Sequence, residues 1–168
     1  LVLNIVVGQI IGSVGIPLYL DSTGTVLVAA LAGPWAGIAT GVLSSLVWSA
    51  FNPSVLPFAA TSAAVGGFAG VAIKHGALKN IATVLLSGAV IGIVVGMLAA
   101  PVAAFVYGGT AGVGTGAVVS LLREMGHSLL QSVTLQSFIS DPLDKALVML
   151  LVWLVLKSLP KRTLAAFR

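Results

Sequence analysis

The sequence predicts an all-α, polytopic membrane protein with six transmembrane helices and an extra outer helical segment between helices five and six. Three observations carry this. Of 168 residues, 58% are hydrophobic and 7% charged, whereas soluble domains carry about 25% charged residues, so this chain cannot solvate its own surface. Apolar stretches approaching the roughly 17–25 residues of a membrane-spanning helix follow one another along its length. Those stretches are continuous, whereas a transmembrane β-barrel alternates apolar and polar positions in segments of about ten.

The elements follow in order. The first span covers 1–14, with continuation upstream expected because the chain does not begin with methionine, and stops at Gly15-Ile16-Pro17. The second is short, 22–32, closed by Gly33-Pro34, and the third, 35–51, stops at Asn52-Pro53. Spans four and five are predicted over 56–73 and 81–107, the latter interrupted late by Pro101. The last runs over 143–159 and ends at Pro160. All of it reads as one domain, 1–168.

Charge orients these spans. Lys74 and Lys79 lie between spans four and five, and Lys157, Lys161, Arg162 and Arg168 are at the end of span six or beyond it. The four acids, Asp21, Glu124, Asp141 and Asp144, fall on the other side with Arg123 and Lys145. Basic residues concentrate in cytoplasmic loops, so both termini are expected inside. The net charge of +4 then reports topology and implies no nucleic-acid partner.

Between spans five and six, a glycine-rich turn over 108–116 leads into a helix predicted over 117–138. Arg123, His127 and Gln131 fall at i, i+4 and i+8 and give that helix a polar face. It is expected on the outer surface, partly re-entrant, or in the wall of a cavity.

Small residues recur every fourth position: Gly33, Gly37, Gly41 and Ser45; Gly66 and Gly70; Gly88, Gly92, Gly96 and Ala100. Such stripes let helices approach closely in lipid. The first span carries Asn4, Gly8 and Gly12; a polar amide at membrane depth needs a partner, in this chain or another.

Tyr19, Asp21, Ser22, Thr23 and Thr25, then Trp48, Phe51, Asn52 and Phe58, then Tyr107, lie near the outer face. With Arg123, His127 and Gln131 they compose a candidate substrate pocket of aromatic walls and a few polar anchors. The alternatives are interfacial anchoring for Trp48 and Tyr107, and pairing of Asp21 or Asp144 with Lys145 or Arg123 to close the outer end. His127 beside Met125 resembles a haem-ligand pair, against which stands a hydrogen-bonded structural histidine. No resident metal site is expected, and with no cysteine there is no disulfide or thiolate ligand. Catalysis is not expected: there is no H-E-x-x-H and no G-x-S-x-G, and Ser44-Ser45 has no activating base in view. A phosphate-binding G-x-x-x-x-G-K-[ST] loop is also missing from the sequence.

The run Pro17-Leu18-Tyr19-Leu20-Asp21-Ser22-Thr23-Gly24-Thr25, followed by Leu31-Ala32-Gly33-Pro34-Trp35-Ala36-Gly37, resembles the first loop and second helix of substrate-binding S components of energy-coupling factor (ECF) transporters. Asn52-Pro53 with Leu56-Pro57-Phe58, then Ser140-Asp141-Pro142-Leu143-Asp144-Lys145, then Leu159-Pro160-Lys161-Arg162, continue the likeness in the same order. The resemblance implies a six-helix subunit in a prokaryotic plasma membrane that captures a vitamin-like micronutrient from outside. A tetrapyrrole such as cobalamin or haem is among the ligands considered. It further implies a transmembrane coupling subunit and two ATP-binding-cassette ATPases as partners, with ATP used by those partners and no cofactor of its own. The family's A-x-x-x-A pattern on the first helix meets the coupling subunit, and Asn4, Gly8 and Gly12 stand at that spacing. The alternatives are a membrane-embedded ligand sensor and a self-sufficient small-solute transporter.

Overall fold

The structure is a computed structural model and describes residues 1–109 and 113–160, with the side chain of Val113 left aside. The middle of the glycine-rich turn (110–112) and the terminal Lys161, Arg162 and Arg168 lie outside the described residues. Among those described there are seven α-helices and no strand: α1 (Val2–Val14), α2 (Thr23–Ala32), α3 (Pro34–Ser49), α4 (Ala59–Lys74), α5 (Ile81–Tyr107), α6 (Val113–Glu124) and α7 (Leu129–Ser158). A 3-10 helix, Pro53–Phe58, leads into α4.

Local chemistry sets most of the boundaries. Gly33, at φ 89°, turns the chain between α2 and α3, and Pro34 opens α3 where its missing N–H costs nothing. Asn80 and Thr83 form a reciprocal capping box that starts α5. That helix then runs through Pro101 to Tyr107 rather than being interrupted there.

The expected outer helix is divided differently. Gly126, at φ 95°, breaks the chain, and a second capping box, Ser128 with Gln131, starts a new 30-residue helix. α7 continues unbroken through Pro142 to Ser158. The reason is local: S-x-x-Q after a glycine satisfies orphan N–H groups and outweighs the 3.6-residue periodicity that joined 117–138.

Packing follows the small-residue stripes. α5 and α7 make the most extensive helix pair, followed by α3 with α4, while α2 lies against α3, α4 and α7. At the α3–α4 crossing a Cβ on Gly37 would lie 2.6 Å from Ala29 Cβ and 2.8 Å from the Gly66 carbonyl oxygen. Only glycine lets these backbones come so close. Val26, Val65, Ala69, Val84, Val95, Val148, Met149 and Val152 form the main apolar core. A smaller cluster of Ala100, Ala104, Val119 and Val133 seats α6 on α5 and α7.

The outside is as apolar as the inside. Trp35 (81% exposed), Phe105 (79%), Leu86 and Ile139 face outward, while Asn4, Thr25, Ser132, Gln136, Asp141, Asp144 and Lys145 are buried. Water penalises that arrangement and hydrocarbon favours it. Two helical stretches, Pro53–Lys74 (22 residues) and Ile81–Tyr107 (27 residues), are long and apolar enough to cross a membrane. α1 and α2 are apolar but shorter, at 13 and 10 residues.

Candidate functional site

A cavity of about 710 Å³ opens among the helices, with every α-helix except the remote end of α7 contributing to its wall. Its lining includes Gly8 and Gln9 of α1, Tyr19, Asp21 and Ser22 of the following loop, and Thr25 of α2. Ser44 and Trp48 come from α3, Phe58 and Ser62 from the 3-10 helix and α4, and Ala99 from α5. Thr115 and Ser120 of α6 and Gln136, Ser137, Asp141 and Lys145 of α7 complete it. The size lies within the roughly 300–1,000 Å³ of small-molecule sites.

Asn4 organises one side. It is 1% exposed, and its Nδ2 donates to Thr25 Oγ1 (2.7 Å) and Ser44 Oγ (2.8 Å). Its Oδ1 accepts from the backbone N–H of Gly24 (2.7 Å) and Thr25 (3.2 Å). Those are first-turn donors of α2, which an N-cap side chain ordinarily satisfies. Ser22 holds the N-cap position and makes no capping bond. Helix α1 thus caps helix α2 in its place, and the Ser22 hydroxyl remains buried on the cavity wall without a partner.

Four residues further along α1, a Cβ on Gly8 would meet Trp48 Cη2 at 2.5 Å. Glycine here makes room for the indole. The Asn4–Gly8–Gly12 stripe, expected as the face for a coupling subunit, therefore turns towards the chain's own cavity: Asn4 and Gly8 are buried, Gly12 is exposed, and all three line the cavity. The physical reason is Asn4 itself, whose amide finds all its partners within this chain.

On the other side, Asp144 is fully buried at 0% exposure. Its Oδ1 accepts from the backbone N–H of Tyr19 (2.8 Å) and Leu20 (2.7 Å), and its Oδ2 pairs with the Lys145 ammonium. The clamp holds the α1–α2 loop against the cavity and holds Leu20 at φ 48°, a left-handed conformation disfavoured for leucine. The Leu20 side chain packs on the main core, which offsets that strain. Desolvation raises the pKa of the Asp21 carboxyl above the usual carboxylate range, opposed by the charge of Lys145. Burial likewise raises the Tyr19 phenol, against a hydrogen bond with Thr115.

The site residues read from the sequence divide into two groups. Tyr19, Asp21, Trp48, Asn52 and Phe58 come together in the cavity wall. Asn52 also caps the 3-10 helix, accepting from Ser54 N–H at 3.2 Å. Tyr107 is not in the lining; it stacks behind Phe58 at 5.7 Å between ring centroids and donates to the Ser54 carbonyl at 2.7 Å. Arg123, His127 and Gln131 are exposed and outside the cavity. The break at Gly126 puts them on two helices and a turn, and the Gln131 side chain is committed to the Ser128 cap. Replacing Arg123 and His127 together by alanine is therefore expected to leave ligand affinity within about twofold of the parent, as for surface changes away from a site; titration of the purified variant checks it.

The pairing of Asp144 with Lys145, one of the alternatives read from the sequence, is present, but α7 as a wall of the cavity was not foreseen. Ser137, Asp141 and Lys145 stand at i, i+4 and i+8, a polar stripe through an apolar helix, and that spacing was the available signal. Three buried groups on the wall have no hydrogen-bond partner among the described residues: Ser22 Oγ, Trp48 Nε1 and Gln136 Nε2. Unpaired buried polar groups are rare in folded chains, and three facing one cavity mark where a ligand's polar atoms would go. No group of three or more metal-ligating His, Cys, Asp or Glu side chains occurs among the described residues.

No family model, curated protein or solved structure significantly matches this chain.

Proposed function

We propose that this chain is the substrate-capture subunit of an ATP-driven importer of the energy-coupling factor type, multi-pass in a prokaryotic plasma membrane with both termini cytoplasmic. It would take up a vitamin-like micronutrient from outside and deliver it inward with a transmembrane coupling subunit and two ATP-binding-cassette ATPases. The observation that carries the reading is the large cavity with aromatic walls and unpartnered polar groups, lined in part by the clamped loop that carries Tyr19 and Asp21. Recognition then needs no chemistry from the chain itself. Apolar and stacking surface from Trp48 and Phe58 would supply much of the affinity, and the buried polar atoms would set specificity.

Six crossings would require α1 and α2 to span with help from their flanking loops, since neither is long enough alone. With the Asn4 stripe turned inward, the face of α1 left for a coupling subunit is its exposed apolar one: Val2, Val6, Ile10 and Val14 at spacing four. ATP would be consumed by the partner ATPases.

Isolation from native membranes in mild detergent tests this directly. Co-isolation of a coupling subunit and two ATPases, with a small molecule released on denaturation and identified by mass spectrometry, is the expected result. A chain that moves its ligand alone in liposomes would overturn the importer reading in favour of a self-sufficient transporter. Ligand-loaded chain that never co-isolates with ATPases would leave the sensor reading.

A further inference from the structure

Resting on the reading of the cavity as the capture site, we propose that its ligand is an organic cation: a planar, aromatic-sized body bearing a protonated amine or a quaternised ring nitrogen. The cationic nitrogen would sit between Asp21 and Asp141.

The argument begins with a charge count inside the protein. Asp21, Asp141 and Asp144 all lie within electrostatic reach of a single ammonium, that of Lys145. That ammonium is already engaged, because Asp144 holds it in the only ion pair among the described residues. Asp144 has no capacity to spare, since its other oxygen takes the Tyr19 and Leu20 amides. Asp21 and Asp141 are thus left on the cavity wall with no ion pair of their own, sharing the Lys145 charge that Asp144 already holds. Carboxylates withdrawn from water are retained when something compensates them. Asp141 has a hydrogen bond from Ser137 and both acids feel the shared Lys145 charge, and a cation in the cavity would supply the ion pair that neither has.

The neighbouring groups agree with that assignment. Trp48 presents an aromatic surface to the same space, a favourable neighbour for a cation. Gln136 Nε2, Trp48 Nε1 and Ser22 Oγ are buried there without partners and suit acceptor atoms elsewhere on the ligand. An anionic ligand such as a carboxylate or phosphate would face both of these acids. A bare metal ion is the poorer occupant: two carboxylates fall short of the three-residue groups that hold metals, and about 710 Å³ leaves most of the space empty.

A matched probe series tests the sign of the charge without knowledge of the natural ligand. The probes are 1-methyl-4-phenylpyridinium, its neutral isostere 4-methylbiphenyl, and biphenyl-4-carboxylate. Each is titrated into the purified full chain in lipid nanodiscs with Trp fluorescence as readout. The expected order is cation over neutral over anion, with a preference on the order of tenfold or more for the first over the second. In Asp21→Asn and Asp141→Asn the ratio of cation to 4-methylbiphenyl affinity should fall. Equal affinity for cation and isostere, preference for the carboxylate, or no binding of the cation would each overturn the proposal. The wild-type series decides the matter even if a variant fails to fold. The importer reading fails separately, through absence of the coupling subunit and ATPases on isolation.

Discussion

Asp144→Ala is expected to be the most damaging single change in this chain, lowering the thermal unfolding midpoint by roughly 6–20 °C. The figure follows from about 3–5 kcal/mol for breaking a buried ion pair by removing one partner, spread over a domain of this size. Two losses combine. Lys145 is left buried without the carboxylate that holds it, and the Tyr19 and Leu20 amides lose their acceptor. Leu20 then has less to keep it at φ 48°, so the loop over the cavity should loosen and ligand affinity fall with it. The double variant Asp144→Ala/Lys145→Met separates the two terms. It should recover the part due to the stranded ammonium and none of the part due to the loop. A midpoint equal to the parent's in the single variant would show that the clamp contributes nothing.

Asn4→Ala comes second, at about 2–4 kcal/mol, from the loss of a helix cap plus buried donors left unsatisfied. Four hydrogen bonds tie α1 to α2 and α3 through that one side chain, so α1 should detach from the bundle before the rest unfolds. Asn4→Asp is the informative companion. A carboxylate still accepts from Gly24 and Thr25 N–H, and the Thr25 and Ser44 hydroxyls can rotate to donate to it. It should therefore retain more of the stability than alanine does. Equal losses in the two variants would contradict the capping role. Limited proteolysis between α1 and α2, alongside thermal unfolding, reads both outcomes.

Much of the helical framework was legible because its signals are local. The apolar run 81–107 matches α5 to the residue, and Gly33-Pro34 and Asn52-Pro53 mark real boundaries. The glycine stripes on spans three, four and five sit at real helix crossings. Where two local signals competed, periodicity was the weaker. The S-x-x-Q box at Ser128 and the left-handed Gly126 split a helix that spacing alone had joined, and with it went the polar face of Arg123, His127 and Gln131. Tyr19, Asp21, Trp48, Asn52 and Phe58 were found as pocket residues because aromatic and polar side chains are conspicuous in an apolar chain. Tyr107 was conspicuous for the same reason, yet its ring serves as backing for Phe58.

Composition and local pattern by themselves determined that this chain is helical, where most helices start and stop, and which spans carry small-residue stripes. Those properties depend on residues within a turn or two of one another. Only the tertiary structure decided what the polar minority does. Asn4 caps a helix about twenty residues away, and Asp144 grips a loop more than a hundred residues distant. Asp21 and Asp141 are left facing a cavity with no ion pair of their own. A buried polar group must find its partner wherever the fold brings one, and sequence separation carries no information about that distance.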